Sequence, residues 1–276
     1  MESNITFFHS IGGKYLIAGG WVDIPGSPGQ HEMTEVVELI KTNSTPSFGQ
    51  LPSNRYGPIG AMFDNAPILC GGYDGSYLNS CISFQNNQWS QSHIMIEERS
   101  YSAGVKINSN VINNTLWVLG GYAEPGYGYY SDNTEFIIQG QTNGPDGPKL
   151  PYGLRGMCAV KLSEQEIFVI GGEAGDFNYK NEVWIYDPQN GFARNQGPSL
   201  NMERAEHSCS TMRDAEKIFI VAAGGYNGAY LDSVEIYDPT DNTWHSGKTN
   251  FLPEKKALIF SNQNKYITTK KLQNTF

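Results

Sequence analysis

The sequence predicts an all-β protein built from one repeated unit, and three observations predict it. A β-prone apolar run ending in two glycines occurs five times, and the first glycines of these doublets, Gly19, Gly71, Gly120, Gly171 and Gly224, are spaced by 52, 49, 51 and 53 residues. After each doublet and a loop, a second run of alternating apolar residues follows. The composition, 31 Gly and 14 Pro with only 17% charged residues in 276, supplies turns and half-buried strands but no long Ala/Glu/Lys/Leu stretch for a helical stripe.

Each unit reads as four strands. The first candidates are ITFFHS, IGAMFD, SAGVKI, CAVKL and HSCSTM; the second are the runs into the doublets, KYLIAGG, PILCGG, LWVLGG, IFVIGG and IFIVAAGG. The third are TEVVELI, NSCISF, NTEFII, NEVWIY and DSVEIY, two of them continuing into Asp187-Pro188 and Asp238-Pro239. Trp89 and Trp244 mark fourth strands, 17 and 19 residues after the second glycine of their doublets. A four-stranded sheet of this kind cannot bury both faces alone, whereas sheets stacked radially on their neighbours can. The spacing predicts one domain over residues 1–276, with units at about 5–50, 51–96, 97–150, 151–200, 201–253 and a partial copy at 254–276.

These residues resemble the kelch family: a Gly pair closing the second strand, Tyr-Asp-Pro closing the third and a Trp in the fourth, at a period near 50. The resemblance implies a kelch-type β-propeller, here five complete four-stranded blades plus an incomplete sixth. Units one, three and four depart from the pattern by lacking the Trp; Phe48, the Pro-rich GPDGPKLP and Phe192 stand nearby instead.

Because successive strands of an up-and-down sheet reverse direction, the loops after the doublets and the loops leading into first strands share one end of the sheets. Those loops are rich in Tyr and Arg, the residue types that dominate recognition surfaces because they combine large contact area or a fixed donor fork with modest entropy loss. The expected partner-binding residues are Arg55, Tyr73, Arg99, Tyr122, Tyr127, Tyr129, Tyr130, Arg155, Arg204 and Tyr226. The same face is the one by which members of the resembling family hold peptide partners. A structural use of the same residues is equally open: each Tyr can pack on the next blade, and each Arg can pair with Glu97, Glu98 or Glu203. The irregular loop 122–132, with Tyr122, Tyr127, Tyr129 and Tyr130, departs furthest from the repeat.

A net charge of −9 and a pI near 5.0 argue against nucleic acid or an anionic membrane as partner, because phosphate binding needs clustered Lys and Arg. No apolar run has the length of a membrane span, and MESNITFFHS lacks the basic and apolar parts of a signal peptide, so a cytoplasmic protein is expected. Sequons at Asn4, Asn43 and Asn113 keep an extracellular origin as the alternative. Cys70, Cys81, Cys158 and Cys209 form no CxxC and read first as buried thiols; Cys158/Cys209 and Cys70/Cys81 are the pairs that strand positions could join. The five His are scattered, and no G-x-S-x-G, Walker or HExxH motif occurs, so neither catalysis nor a metal or other cofactor is expected. The expected function is a non-catalytic module for a protein or peptide partner, with a sugar-active propeller enzyme such as a mutarotase as the other reading.

Overall fold

The computed structural model describes strands at 3–4, 7–11, 14–18, 21–23, 31–33 and 37–40, the segments 51–63, 66–108, 114–123, 129–175, 177–214 and 217–246, and strands at 259–260 and 266–267. Among the described residues the protein is all-β, with antiparallel sheets, one short 3-10 turn at Pro188–Asn190, and no helix long and apolar enough to cross a membrane.

The sheets follow one another along the chain. Phe7–Ile11, Lys14–Ala18 and Val37–Ile40 pair in order, and Trp21–Asp23 pairs separately with Ser3–Asn4 and His31–Met33. Next come Ile59–Phe63, Ala66–Cys70, Ser80–Gln85 and Gln88–Ile94, a four-stranded meander. The third sheet has three regular strands, Ala103–Ile107, Thr115–Leu119 and Thr134–Ile138. Its expected fourth strand is replaced by the Pro-rich segment, which touches Thr134–Ile138 through Phe136 N–H to Pro145 O and Gly147 N–H to Thr134 O. Proline has no N–H to give to a regular ladder. Four strands return in Cys158–Lys161, Ile167–Ile170, Val183–Asp187 and Ala193–Gln196, and in Ser208–Asp214, Lys217–Ala223, Val234–Asp238 and Thr243–Ser246. A final pair joins Ile259–Phe260 to Tyr266–Ile267.

The first strands of consecutive sheets lie side by side, and Ile259–Phe260 lies beside both Ser208–Asp214 and Phe7–Ile11. The architecture is consistent with the propeller that the repeat implies. The second strands are the most deeply buried, with Leu116, Trp117, Leu119, Ile167, Phe168 and Ile170 all fully enclosed, so apolar burial between sheets is the main stabilising term.

The glycine doublets make the seams. Both residues of Gly71-Gly72, Gly120-Gly121, Gly171-Gly172 and Gly224-Gly225 have positive φ, which a side chain strains. A Cβ on Gly171 would lie 2.5 Å from Arg204 O, a carbonyl of the next sheet. The second glycines use that closeness: the N–H groups of Gly72, Gly121 and Gly172 donate to Arg99 O, Leu154 O and Arg204 O at 2.9, 2.7 and 2.9 Å. The earliest doublet, Gly19-Gly20, lies outside the described residues.

Aromatic wedges fill the gaps between sheets further out. Trp244 packs on Tyr237 at 5.5 Å, and Tyr237 packs on Phe168 of the preceding sheet at 5.1 Å. In the fourth sheet Phe192 takes the corresponding place, 5.0 Å from Trp117 of the third sheet, with Tyr186 also against Trp117 at 5.1 Å. The missing Trp of that unit is thus compensated by a Trp donated by its neighbour's second strand.

The cysteines are not free thiols. Cys70–Cys81 joins directly opposed residues of two adjacent strands, Cα atoms 4.0 Å apart, and Cys158–Cys209 joins the first strands of the fourth and fifth sheets, Cα atoms 6.0 Å apart. Buried thiols, the first sequence reading, gives way to two disulfides because strand register holds both pairs within bridging reach.

Candidate functional site

The site is built from the loops at one end of the sheets, and its geometry begins beneath them. Arg55, Arg99 and Arg204 are 3%, 1% and 0% exposed. Each reaches back under its own doublet: Arg55 Nη1 donates to Gly71 O at 2.9 Å and Ser80 O at 2.7 Å, Arg99 Nη1 to Gly120 O at 2.8 Å and Asn133 O at 3.1 Å, and Arg204 Nη1 to Gly224 O at 2.7 Å and Ser233 O at 3.3 Å. These three guanidinium groups clamp the end of the second strand to the start of the third and face the interior.

Two of the clamps carry a buried acid. Glu135 lies 2.9 Å from Arg99 Nη2 and accepts from Ile96 N–H at 2.6 Å; Glu235 lies 2.8 Å from Arg204 Nη2 and accepts from Asn201 and Met202 N–H at 2.6 and 3.1 Å. Burial pushes the Glu135 carboxyl up, and the Arg99 charge and the Ile96 N–H pull against that rise. Arg55 has the Ser80 hydroxyl in place of an acid, and desolvation lowers it to about 10. Sequence reasoning named the arginines but missed Glu135 and Glu235; a lone acid inside an otherwise apolar third strand was the available signal.

Arg155 occupies a different place. The loop bridges Tyr56–Tyr73, Ser100–Tyr122, Arg155–Glu173 and Ala205–Tyr226 are equivalent, so the residue matching Arg55, Arg99 and Arg204 is Leu154, and Arg155 lies one step further along. Leu154 packs in an apolar cluster with Leu150 and Met157, against which Trp184 also packs. Arg155, a quarter exposed, turns to the face. Its Nε and Nη2 donate to Glu173 Oε2 at 3.0 and 2.7 Å, and its guanidinium stands over the rings of Tyr101, Tyr122 and Tyr130 at 5.3, 5.6 and 5.6 Å. Burial lowers its pKa, and the hydrogen bond and charge of Glu173 outweigh that to leave it raised. Tyr130 donates to the other Glu173 oxygen at 2.7 Å; partial desolvation first, then this bond, holds its hydroxyl protonated with a pKa of about 12.

A backbone chain runs beneath this cluster near the inner strands. Tyr101 N–H donates to Gly57 O, Gly156 N–H to Tyr101 O and Glu206 N–H to Gly156 O, at 2.8, 2.8 and 2.7 Å, linking four consecutive sheets. All four residues have left-handed φ, between 54° and 66°, so the two non-glycines accept strain there. Glu206 stands exposed beside Arg155, and desolvation by the surrounding walls raises its carboxyl despite that cation.

Around it the tyrosines form an arc. Tyr73 meets Tyr77 at 5.1 Å, Tyr77 meets Tyr122 at 5.7 Å and Tyr122 meets Tyr130 at 5.5 Å; beyond Arg155 and Glu173, Tyr179 meets Tyr226 at 5.7 Å and Tyr226 meets Tyr230 at 5.3 Å. The structure thus brings Tyr73, Tyr122, Tyr130, Arg155 and Tyr226 onto one surface. Tyr129 is beside them and exposed, Tyr127 lies outside the described residues, and Arg55, Arg99 and Arg204 are set below.

The exposed large apolar side chains are not scattered. Ile94, Ile96, Tyr129, Phe177 (78% exposed), Met202 and Tyr230 (57%) are those found among the described residues, and all but Ile94, which ends an outer strand and donates its N–H to Thr142 O, lie in the loops and short strands at this end of the sheets. The opposite turns carry Asn86-Asn87, Gln139–Gln141, Ser163–Gln165 and Asp241-Asn242.

The Kelch motif family matches residues 220–250, the segment holding the Gly224-Gly225 doublet, Tyr-Asp-Pro and Trp244. The motif and the relatives it leads to support a kelch-repeat family. Kelch-like protein 23 of Pongo abelii is 28% identical over 141 residues, covering 49% of this chain and 22% of that relative. Kelch-like protein 23 of Mus musculus is 27% identical over the same length, with the same shares. The matched part of this chain therefore spans about a fifth of the length of those curated relatives.

Proposed function

We propose that this kelch-repeat chain is a non-catalytic binding module that holds an extended protein segment against its tyrosine face. Kelch repeats and kelch-like relatives suggest protein interaction. The observation that carries the reading is the segregation of exposed large apolar side chains onto one end, since clustered apolar exposure marks an interaction surface where scattered exposure does not. Tyr129, Phe177, Met202 and Tyr230 supply apolar contact, and Tyr73, Tyr122, Tyr130, Arg155, Glu206 and Tyr226 the polar anchors. With two acids beside one Arg and a net charge of −9, the face favours a segment that pairs apolar with basic side chains. Arg55, Arg99 and Arg204 serve it from beneath by fixing the loops.

The same reading takes the sheets as blades of one domain, with five units and a partial sixth whose Ile259–Phe260 strand closes the ring between the first and fifth inner strands. The adjacency of that strand to both supports it. The two disulfides support the extracellular alternative over a cytoplasmic location, because such bonds persist in oxidising compartments.

Selection of a random peptide library on the immobilised chain tests the binding role. Recovered peptides should be rich in aromatic and basic residues and should lose about tenfold or more in affinity for a Phe177→Ser/Tyr230→Ser variant, two anchors of ~1 kcal/mol or more each. Peptides that bind that variant as well as the parent would place the surface elsewhere.

A further inference from the structure

An Asn followed by Gly is prone to lose its side-chain amide, because glycine puts no Cβ in the way when its own nitrogen closes on the Asn side chain. The chain holds three such steps, Asn143-Gly144, Asn190-Gly191 and Asn227-Gly228. The fold treats them differently. A Cβ on Gly144 would stand 1.4 Å from Phe136 O, and Phe136 N–H donates to Pro145 O at 2.9 Å, so this step is pressed onto a strand backbone. Asn190 ends the 3-10 turn Pro188–Asn190, which Asp187 holds by accepting from Gln189 N–H at 2.9 Å and, through its carbonyl, from Phe192 N–H at 2.8 Å. The space around Gly191 is open, but a helical ψ keeps the following nitrogen off the line of approach to the side-chain carbon.

Asn227-Gly228 has neither restraint. It lies at the tip of the loop after the fifth sheet's doublet, between Tyr226 and Tyr230 of the tyrosine face. A Cβ on Gly228 would meet nothing within 4 Å, and among the described residues no hydrogen bond holds the Asn227 carboxamide or the Gly228 N–H.

The second sheet shows that the product fits. Its equivalent loop is Tyr73-Asp74-Gly75-Ser76-Tyr77, with an acid where the fifth sheet has Asn227. Gly75 and Gly228 have φ of 116° and 99°. Asp74 N–H donates to Ser76 O at 3.1 Å and Asn227 N–H to Ala229 O at 3.2 Å, while Leu78 and Leu231 donate to Gly72 O and Gly225 O, both at 2.9 Å. The bridges Tyr73–Tyr77 and Tyr226–Tyr230 close the two loops alike. Asp74 Oδ1 accepts from Ser76 N–H at 3.3 Å, and the Ala229 N–H stands at the matching place.

We propose that Asn227 is a deamidation site, which converts the fifth sheet's loop to the acidic form that the second sheet carries. The Gly228 nitrogen attacks Asn227 Cγ, a C–N bond forms, and the side-chain nitrogen leaves as ammonia with the Gly228 proton, giving a five-membered imide. Water then opens the ring at either carbonyl. Opening at the side-chain carbonyl gives Asp on the ordinary backbone; opening at the other gives the isoaspartyl chain. The reaction consumes one water and releases one ammonia. Its consequence, which rests on the binding reading above, is one more negative charge on the tyrosine face, favouring basic segments.

Peptide mapping by mass spectrometry, after incubation of the intact chain in warm, mildly alkaline buffer, tests the site. In the folded chain Asn227 should convert at least about tenfold faster than Asn143 or Asn190, and in the denatured chain all three should convert within about threefold of one another. Asn143 or Asn190 converting as fast as Asn227 in the folded chain, or Asn227 left unconverted, overturns the proposal. Asn227→Asp should keep the parent's melting temperature and bind a basic library-selected peptide about threefold more tightly, an advantage lost at high salt. Unchanged affinity there overturns the consequence for the face, and a library that yields no binder counts against the binding role; the mapping decides the site in either case.

Discussion

Arg155 and Arg204 precede the first strands of neighbouring sheets at what looks like the same place in the repeat, yet one faces solvent and the other is sealed. The difference is a single step of register. In the fifth sheet Arg204 points down, clamps Gly224 O and Ser233 O and pairs with buried Glu235. In the fourth, Leu154 holds that register with Trp184 near it, and Arg155, one residue on, points to the face and meets three tyrosines and Glu173. Both members of the charge pair are replaced together. A buried Arg without its acid, or the acid without its Arg, is strongly destabilising, so an apolar pair is the tolerated alternative. The repeat thereby gains a cation on its surface without leaving a charge stranded in its core.

The comparison breaks most visibly at Arg204. Arg204→Ala should lower stability by about 3–5 kcal/mol, because Glu235 stays behind, buried and unpaired. Arg155→Ala should lose roughly half as much, since Glu173 keeps the Tyr130 hydroxyl. Parallel denaturant melts check the order, and equal losses would erase the distinction drawn from register.

The seam between the same two sheets is also stapled. Replacing Cys158 and Cys209 by Ala should cost about 4 kcal/mol for a closed loop of 51 residues, against about 3 kcal/mol for Cys70 and Cys81, which close 11. Thiol titration of the unreduced, denatured chain should find none, and four after reduction.

His207 sharpens the comparison through pH. It lies on that seam, 8% exposed, and desolvation first, then Arg204, lowers its pKa to about 3. An unfolded imidazole takes up its proton near pH 6.5, so between about 6.5 and 3 the unfolded chain binds a proton that the folded chain refuses. Stability should therefore fall as pH drops through that window, by on the order of 3 kcal/mol at pH 4, and His207→Gln should flatten this part of the melting-temperature profile. An unchanged profile would assign the acid sensitivity to the carboxylates.

The smallest expected effect is on the surface itself. Tyr129→Ala, Phe177→Ser and Tyr230→Ser should each change stability by no more than about 0.5 kcal/mol. A larger loss for any of them would make that ring part of the packing.

Much of the architecture was legible because its determinants are local. A doublet of left-handed residues at a close approach of two sheets must be glycine, so Gly71-Gly72 through Gly224-Gly225 announced the seams in the sequence. Strand alternation likewise gave the shared loop end and its tyrosines. What stayed hidden depends on partners far along the chain. Whether an Arg before a strand is a clamp or a contact turns on one residue of register, visible only through the bridge from Arg155 to Glu173. That Trp117 serves the fourth sheet, that Cys158 meets Cys209, and that prolines cancel the third sheet's fourth strand follow from how sheets lie on one another.

The measurement closest to the central claim is hydrogen–deuterium exchange on the intact chain with and without a library-selected peptide. The account predicts added protection in the loops 73–79, 173–180 and 226–232 after the doublets, and in the lead-in loops 96–102 and 201–207. Protection confined to the opposite turns at 85–88, 139–142, 188–192 and 239–242 would contradict it.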